Sequence, residues 1–326
     1  MLAVTAIAFD RDDPLAGLRV GETAPSGQPE PPAGWVRVRV KAAALNRHDI
    51  FSLQGVGLRA DELPRVLGCD GAGVDESGNP VVVHAVIGDA EAGHGDAVND
   101  PRRSLLSERY DGTFAETVWV PADNVVPKPP ELSFEEAACL PTSWLTAYRM
   151  LFVNSATRPG DTVLVQGAGG GVSTAAITLG RAAGLRVWTT SRSEERRSRA
   201  LALGAHAAFE PGARLPERVD AVLESVGQAT WAHSLRAVRP GGTIVICGAT
   251  TGDAPSAELA RVFYQQLRVI GSTMGSRHEL AELAAFCVAT GVRPVIDRVL
   301  PLAEARDGFA AMLEGELFGK VVFSVE

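Results

Sequence analysis

A run of glycines in the middle of the chain has the spacing of a phosphate-binding turn. Gly167, Gly169, Gly170 and Gly171 follow a short apolar run, and after Val172 and Ser173 an apolar helix is predicted over 174–183. Glycines have no Cβ atom to keep a pyrophosphate away from the backbone, and the helix start offers free N–H groups and the positive end of the helix dipole. A flexible turn without a ligand is the alternative. The strand before the turn and the helix after it favour dinucleotide binding.

Hydroxyl and guanidinium groups follow the next predicted strand, where a dinucleotide-binding fold selects its cofactor. Ser191 and Arg192 stand at the end of that strand, and Arg196 comes shortly afterwards. NAD-selective sites hold the ribose 2′-hydroxyl with Asp or Glu at this place, whereas a 2′-phosphate needs small hydroxyls and a guanidinium. The residues therefore predict NADP(H) in preference to NAD(H). The alternative is that the arginines are solvated helix charges.

The cysteines are too scattered to indicate a metal cluster or a disulfide framework. They are Cys69, Cys139, Cys247 and Cys287, and no two of them form a C-x-x-C pair. This pattern predicts a reducing, cytoplasmic environment. The N-terminal sequence is apolar but has no basic segment, and Asp10 follows soon after. We therefore expect a first strand there and not a signal peptide.

Composition indicates a soluble, folded protein that binds neither a membrane nor nucleic acid; a small-molecule substrate is expected only from the resemblance described below. The chain has 326 residues, of which 46% are apolar and 21% charged, and its formal net charge is −8. This length exceeds what one hydrophobic core usually fills, so we expect two domains. The apolar runs fall short of the ~20 residues that cross a bilayer, which predicts no membrane partner. The acidic balance argues against nucleic acid, because phosphate-backbone binding needs clustered Lys and Arg.

The N-terminal part of the chain has the pattern of a β-rich domain with long turns. Val36, Val38 and Val40 alternate with basic residues, which predicts a strand with one buried face. The Pro/Gly-rich stretch 24–34 predicts a loop. The polar, aperiodic stretch 88–110 predicts another loop.

From residue 161 onward, short apolar runs alternate with helix-length segments. Such alternation predicts a parallel sheet with helices on both faces, and about six strands make a doubly wound α/β domain of dinucleotide-binding size. The predicted strands are 162–165, 186–189, 206–209, 220–223, 243–246 and 267–270. A last strand, 320–325, has no helix after it and is expected to return to the first domain.

Taken in order, these motifs resemble the medium-chain dehydrogenase/reductase superfamily over essentially the whole chain. The segments that carry the resemblance are 43–49, 67–73, 140–148, the glycine turn and 318–322. It implies an α/β protein with a GroES-like β-rich catalytic domain, 1–125 and 294–326, and a doubly wound Rossmann domain, 126–293. An active cleft between the two domains and a homodimer joined through edge strands of the Rossmann sheets are also implied.

The resemblance implies several more cofactor contacts. Three groups of residues follow predicted strands, at the sheet edge where ligands of open α/β sheets bind, although ordinary turn chemistry is the alternative. These groups are Ser225 and Val226; Gly248, Ala249 and Thr250; and Ser272 and Thr273. By the same resemblance, Thr146 is expected to contact the nicotinamide side.

The zinc-ligand positions of the superfamily carry other residue types here. By resemblance, Asn46, Cys69 and Thr142 stand where zinc members have a Cys, a His, and a Cys or Asp. Asn and Thr are poor ligands for Zn²⁺, and one thiolate cannot hold the metal by itself. We expect no catalytic zinc, and no structural zinc, because the stretch matching the family's cysteine-rich lobe has no cysteine. The alternative is a rearranged site on His48, Asp49, Cys69 and Asp70.

What remains resembles the zinc-independent, quinone-oxidoreductase-like branch, in which NADPH reduces an activated alkene, quinone or enone. The conjugated carbonyl already draws charge from the carbon that receives hydride, so the protein supplies orientation and stabilises the developing enolate. The catalytic candidates are Asn46 as an amide donor near the carbonyl oxygen, Thr142 in the pocket wall, and Asp49, which shapes the loop or orients a neighbour. No tyrosine proton donor follows residues 52–55, so solvent is the expected proton source.

Two other functions are left open by the sequence. One is a zinc-type alcohol dehydrogenase with altered ligands. The other is a non-catalytic NADPH-binding sensor or structural protein, which the absence of a visible acid, base or metal site suggests.

Overall fold

The computed structural model describes residues 1–22 and 32–326, which form two compact units. The first unit comprises residues 1–143 and 274–326, and the second comprises residues 144–273. Of the loop predicted over 24–34, residues 24–31 lie outside the described residues. Within the described chain, no helix has the length and apolarity that a membrane span requires.

Helices and strands succeed one another along three stretches of the chain. Residues 1–143 contain β1 (Leu2–Ala6), β2 (Leu18–Glu22), β3 (Trp35–Ala44), α1 (Arg47–Leu53), β4 (Arg65–Val66), β5 (Asp70–Val74), β6 (Pro80–Val83), β7 (Val86–Ile87), β8 (Ser104–Leu105), β9 (Thr117–Pro121), β10 (Val125–Pro127) and α2 (Phe134–Ala138). Residues 144–273 contain α3 (Leu145–Tyr148), β11 (Thr162–Val165), α4 (Gly171–Ala182), β12 (Arg186–Thr190), α5 (Glu194–Leu203), β13 (Ala207–Phe209), β14 (Val219–Glu224), α6 (Gln228–Ala237), β15 (Val238–Ile246), α7 (Leu259–Tyr264) and β16 (Arg268–Gly271). Residues 274–326 contain α8 (Arg277–Thr290), β17 (Ile296–Pro301), α9 (Ala305–Glu314) and β18 (Lys320–Ser324).

Strand β3 organises the main sheet of the first unit. The strand order is β10-β6-β5-β3-β18-β17, and β9 pairs with β3 as well. The side chains of Val38 and Val40 are buried, whereas those of Arg37 and Arg39 are exposed, which confirms the predicted alternation. The buried face of this strand contributes to a large hydrophobic core of the unit.

The C-terminal strand β18 returns to the first unit, as predicted. It runs antiparallel to β3, with Val322 opposite Ala44, and parallel to β17. Phe323 of this strand packs edge-on against Phe114, with ring centroids 5.1 Å apart. This pairing brings Lys320, at the start of β18, to the end of β3 from which α1 begins.

The second unit is a six-stranded parallel sheet, and its strands confirm the six predicted from the sequence. The order is β13-β12-β11-β14-β15-β16, so the first strand lies in the middle between β12 and β14. Val163 of β11 stands opposite Val187 on one side and Ala221 on the other. This is the doubly wound order, and ligands of such sheets bind where the order reverses, beyond the carboxyl ends of the two central strands.

The division into units differs from the expected domain boundaries at 125/126 and 293/294. Residues 126–143 and 274–293 belong to the first unit. Strand β10 pairs with β6 of the first sheet, and α8 packs on β10. The Arg293 guanidinium lies 3.6 Å from the Glu136 carboxylate, and a second nitrogen donates to the Glu131 carbonyl. These contacts connect stretches that are distant in sequence, so composition alone could not place them.

The polar stretch 88–110 is mostly turns, as predicted, with a small hairpin-like element at its end. Its strand β8 pairs antiparallel with β7. The Glu108 carboxylate accepts the Leu105 backbone N–H and the Ser104 hydroxyl. These bonds hold the Glu108 carboxylate 3.9 Å from the ring of His48.

Candidate active and cofactor-binding sites

The glycine turn, residues 167–171, connects β11 to α4 and presents unpaired N–H groups. Gly167 has φ +89°, in the left-handed region that favours glycine. Gly170 is the N-cap and offers no capping side chain, and a Cβ built there would meet nothing within 4 Å. The N–H groups of Gly171, Val172 and Ser173 have no acceptor within the described chain. With the positive end of the helix dipole, they have the chemistry that suits a phosphate anion.

A buried polar network, which the sequence did not reveal, holds the glycine turn in place. Thr190 Oγ1 donates to Gln166 Oε1 at 2.8 Å and accepts the Gly167 N–H at 3.2 Å. Gln166 Nε2 donates to Ser234 Oγ at 3.0 Å, and Thr189 Oγ1 donates to the Gly167 carbonyl at 2.8 Å. The only signal in the sequence was the presence of polar residues at the ends of apolar strands.

The loop after β14 is shaped by the buried carboxylate of Glu224. This carboxylate accepts the N–H groups of Val226 and Gly227 and the hydroxyls of Thr230 and Ser234. All of these donors lie within ten residues of Glu224, so the buried carboxylate is satisfied by hydrogen bonds inside the second unit. The predicted cofactor residues Ser225 and Val226 therefore lie in a fixed loop.

The loops after β15 and β16 also contain their predicted residues, which are Gly248, Ala249, Thr250, Ser272 and Thr273. A Cβ at Gly227 would come within 2.8 Å of the Ala249 Cα, so the loops after β14 and β15 touch. The Ser272 N–H donates to the Ile246 carbonyl, and the Ser272 hydroxyl accepts a bond from the Asn154 amide at 3.0 Å. The loops after β14 and β15 thus bring the first two predicted groups together, and the Ser272 N–H connects the third group to β15.

The predicted 2′-phosphate residues lie where β12 leads into α5. The Ser191 hydroxyl accepts the Ser193 N–H at 3.2 Å, and Arg192 is exposed with no ion pair to any described residue. Arg196 lies in the first turn of α5 and is half-buried. Arg197 has a different role, because it donates to the Ser191 carbonyl at 2.7 Å and so holds the loop. The guanidinium of Arg192 is available to an anion.

In the first unit, Asn46 and Asp49 form a capping box at the start of α1. Asn46 is the N-cap, and its N–H donates to Asp49 Oδ2 at 2.8 Å. Asp49 Oδ1 accepts the Gly68 N–H at 3.1 Å. Burial raises the pKa of Asp49 to about 7, against these two backbone bonds, which lower it. The structure therefore brings Asn46 and Asp49 together, with Asp49 fixing the loop.

A buried lysine joins this pair and was not among the predicted site residues. The Lys320 ammonium donates to the Leu45 carbonyl at 2.8 Å, to Asn46 Oδ1 at 2.6 Å and to Asp70 Oδ2 at 2.9 Å. Asp70 and Asp49 are fully buried, and Lys320 is 2% exposed. We call Asn46, Asp49, Asp70 and Lys320 the charged centre. Lys320 belongs to the segment 318–322, which carries the family resemblance, but the sequence did not show that this lysine lies beside Asn46.

The residues at the zinc-ligand positions do not fit a zinc ion. Cys69 donates its thiol to the Leu106 carbonyl, and burial raises the pKa of that thiol well above its usual value. Asn46 Oδ1 is occupied by the Lys320 ammonium, whose positive charge opposes a second cation. Within the described residues, no three His, Cys, Asp or Glu side chains converge as metal ligands. The absence of zinc and the rearranged-site alternative stay predictions for metal analysis.

The two predicted threonines lie in different units. Thr142 is in a π-helical turn, Leu140–Trp144, and its hydroxyl is buried without a hydrogen-bond partner in the described chain. The neighbouring Ser143 hydroxyl is also buried without a hydrogen-bond partner in the described chain. Thr146 lies on α3 of the second unit and is 6% exposed. A buried hydroxyl without a partner costs free energy unless a ligand or water bonds it, so Thr142 suits a pocket wall.

Comparison with known proteins places this arrangement in a family. The sequence matches the alcohol dehydrogenase GroES-like domain over residues 32–130 and the zinc-binding dehydrogenase family over residues 171–289. A crystal structure of an NAD-dependent alcohol dehydrogenase is 37% identical, with a TM-score of 0.90 and 100% of both chains covered. The quinone oxidoreductase of Mus musculus is 28% identical over 88% of both chains. The structure of crotonyl-CoA carboxylase/reductase AntE in complex with NADP has a TM-score of 0.89 and 25% identity, covering 99% of this chain and 94% of that one.

Proposed function

The chain belongs to the medium-chain dehydrogenase/reductase superfamily, and from that premise we propose that it is an NADPH-dependent oxidoreductase that works without zinc. Its substrate is a quinone, an enone or another activated alkene or carbonyl. The observation that carries the proposal is the contrast between two sites: unpaired N–H groups fit a dinucleotide phosphate at α4, while the zinc-ligand positions do not fit a metal. A conjugated carbonyl needs no Lewis acid.

Cofactor binding is assigned to the second unit. The N–H groups at the start of α4 would hold the pyrophosphate, and Ser191, Arg192 and Arg196 the 2′-phosphate. The remaining contacts would come from Thr146 and the strand-end residues Ser225, Val226, Gly248, Ala249, Thr250, Ser272 and Thr273. NADPH supplies a hydride when it is bound.

The first unit is assigned the carbonyl end of the substrate. Addition of hydride to the β-carbon moves the electron pair of the alkene onto the carbonyl oxygen, and a solvent proton then completes the saturated product. The Asn46 amide has one N–H without a partner in the described chain and would stabilise the enolate oxygen. Thr142 would line the pocket, and Asp49 would hold the loop that carries Asn46.

We also propose a homodimer formed through the second unit, in the cytoplasm. Strand β16 is the edge of its sheet, and Val269 on it is exposed. On α7, close in sequence to that edge, Leu259, Phe263 and Tyr264 are all more than 70% exposed. An open edge with a large apolar surface is a site of association between copies of a chain. All four cysteines are free thiols, as a reducing compartment requires.

The dimer is tested by analytical ultracentrifugation of the wild type and the Phe263→Asp variant. We expect a dimeric wild type and a folded, monomeric variant, because a carboxylate in an apolar interface costs free energy. A monomeric wild type at micromolar concentration contradicts this part of the proposal.

The activity is tested by titrating tryptophan fluorescence with NADPH and NADH, followed by assays with a panel of quinones and enones. We expect tighter binding of NADPH and steady NADPH oxidation by at least one conjugated substrate. Metal analysis of protein purified without chelators completes the test, with no stoichiometric zinc expected. Binding of NADPH without turnover of any substrate would favour the non-catalytic sensor.

Alcohol dehydrogenase activity is the second candidate, favoured by the 37% identity to the NAD-dependent alcohol dehydrogenase. In that case simple alcohols are oxidised, NAD⁺ is preferred to NADP⁺, and zinc copurifies. Each of these three results is opposite to the one that the first candidate predicts.

A further inference from the structure

Lys320 makes more contacts than pairing with Asp70 alone would require. It is one of only three lysines among 31 basic residues, and it is 2% exposed. An ammonium group has three N–H donors, and here all three are used, on the Leu45 carbonyl, Asn46 Oδ1 and Asp70 Oδ2. The lysine is therefore fixed in one orientation, with its charge balanced by a buried carboxylate.

The Lys320 bond determines which end of the Asn46 amide is available to a substrate. Only Oδ1 can accept from an ammonium group, so Nδ2 must point the other way. Nδ2 donates one N–H to the Ala44 carbonyl at 3.2 Å, and the second N–H meets no acceptor in the described chain. The capping bond to Asp49 holds the backbone of the same residue. Asn46 is thus constrained at its main chain and at its side-chain oxygen, and only its free N–H remains unbonded.

A cation on the amide oxygen also changes the donor strength of the amide. Hydrogen bonds in a chain polarise one another, and the effect is larger in a buried, low-dielectric site. The Lys320 ammonium withdraws electron density through the amide and so strengthens the free N–H as a donor. The charge of Lys320 thus acts through the Asn46 amide on an anionic acceptor that bonds to Nδ2, although the lysine does not contact that acceptor.

We propose that Lys320 is a positioning residue that orients and polarises the Asn46 amide for stabilisation of the enolate oxygen formed during reduction. The proposal rests on the proposed function, because it requires a conjugated carbonyl substrate at Asn46. It adds that the cation serving this site is a fixed ammonium group of the chain, held by Asp70 and acting through one amide.

A double-mutant cycle tests the proposal against a purely structural role for Lys320. We expect Lys320→Met to lower kcat about 100-fold with the Kd of NADPH unchanged, because a misplaced donor loses transition-state contact. In the Asn46→Ala background, the same substitution should lower kcat less than threefold. An equal loss in both backgrounds overturns the proposal. Assays are run below the unfolding temperature of each variant, which is measured separately.

Lys128→Met is the matched control. Lys128 is also in the first unit and also donates to backbone carbonyls, those of Pro129 and Leu132, but it contacts no member of the charged centre. The same change of side chain therefore tests the loss of a carbonyl-bound lysine without affecting Asn46. We expect its kcat to stay within twofold of the wild type. A loss equal to that of Lys320→Met would contradict a specific role for Lys320.

A second measurement does not depend on activity. The chain has five asparagines, so labelling Asn with ¹⁵N gives five side-chain amide pairs, and Asn46→Ala identifies the pair of Asn46. We expect that pair to shift and to exchange faster with solvent in Lys320→Met, and to stay unchanged in Lys128→Met. An unchanged pair in Lys320→Met overturns the proposed contact. If the wild type reduces no quinone or enone, the proposed function fails, and this spectrum alone decides whether Lys320 orients Asn46.

Discussion

The charged centre of the first unit and the glycine turn of the second both depend on buried polar side chains, but they are stabilised in opposite ways. In the charged centre, opposite charges and a capping box use most of the polar groups and leave one Asn46 amide N–H and Asp70 Oδ1 without a partner in the described chain. In the glycine turn, the neutral side chains of Gln166 and Thr190 hold the backbone, and three consecutive N–H groups remain unpaired. A side chain that bonds a substrate through one atom is oriented by hydrogen bonds at its other atoms. A site for an anion, in contrast, needs several N–H donors that have no partner within the protein.

The strongest test of this contrast is Asn46→Ala. We expect kcat/KM for an enone to fall about 100- to 1000-fold, because one donor to the developing oxyanion is lost. The Kd of NADPH, measured by fluorescence titration, should not change. If NADPH binding weakened in parallel, the two sites would not be separate in function.

Gly170→Asp is expected to weaken NADPH binding about 100-fold. The backbone at Gly170 is extended and a Cβ there meets open space, so the side chain is accommodated and its carboxylate can cap the free N–H groups of α4. An anion at that point repels the pyrophosphate. Gly170→Asn is the matched control, since it caps the helix without the charge and should lose about tenfold or less. Equal losses in the two variants would show that space, and not charge, limits binding.

Arg192→Ala should reduce the preference for NADPH over NADH about 10- to 30-fold. A hydrogen bond to a charged group contributes ~1.5–3 kcal/mol, and the exposed position of Arg192 favours the lower end of that range. Arg192 has no ion pair among the residues described, so the thermal stability should not change. Arg199→Ala, on α5 and paired with Glu195, serves as the control. A cofactor preference unaffected by Arg192→Ala would contradict the assignment of the 2′-phosphate.

The pH dependence of stability tests the charged centre without a rate or an affinity. Because burial raises the pKa of Asp49 to about 7, the folded state holds this proton more tightly than the unfolded state. The contribution of Asp49 to stability is therefore present at low pH and is lost as the pH rises from about 4 to about 7, by at most ~1.4 kcal/mol per pH unit. Asp49→Asn should remove this part of the slope in urea titrations, which are compared at several pH values. A slope that does not change in the variant would refute the raised pKa.

Local patterns in the sequence predicted much of the fold and of the cofactor site. The six strands of the second unit, the glycine turn and the alternation of β3 all follow from periods and turns within a few residues. Such features need no knowledge of distant contacts, because a strand's buried face and a helix start are encoded by neighbouring residues.

The packing of 126–143 and 274–293 in the first unit could not be predicted in this way. Strand β10 pairs with β6, and Arg293 meets Glu136 across more than 150 residues. The same holds for the network under the glycine turn, where Gln166, Thr190 and Ser234 come from three separate elements. Within its own segment, none of these residues belongs to a pattern that indicates the contact.

The sequence by itself determined the fold class, because local order is enough for it. It also predicted the phosphate site from the glycine turn and, through the family resemblance, the poor fit of Asn46 and Thr142 to zinc. Only the tertiary structure decided that Lys320 lies against Asn46, from which it is 274 residues away, with Asp70 as its counterion. A buried charge is tolerated only where the fold brings an opposite charge and acceptors to it, and that arrangement exists only after the strands have paired.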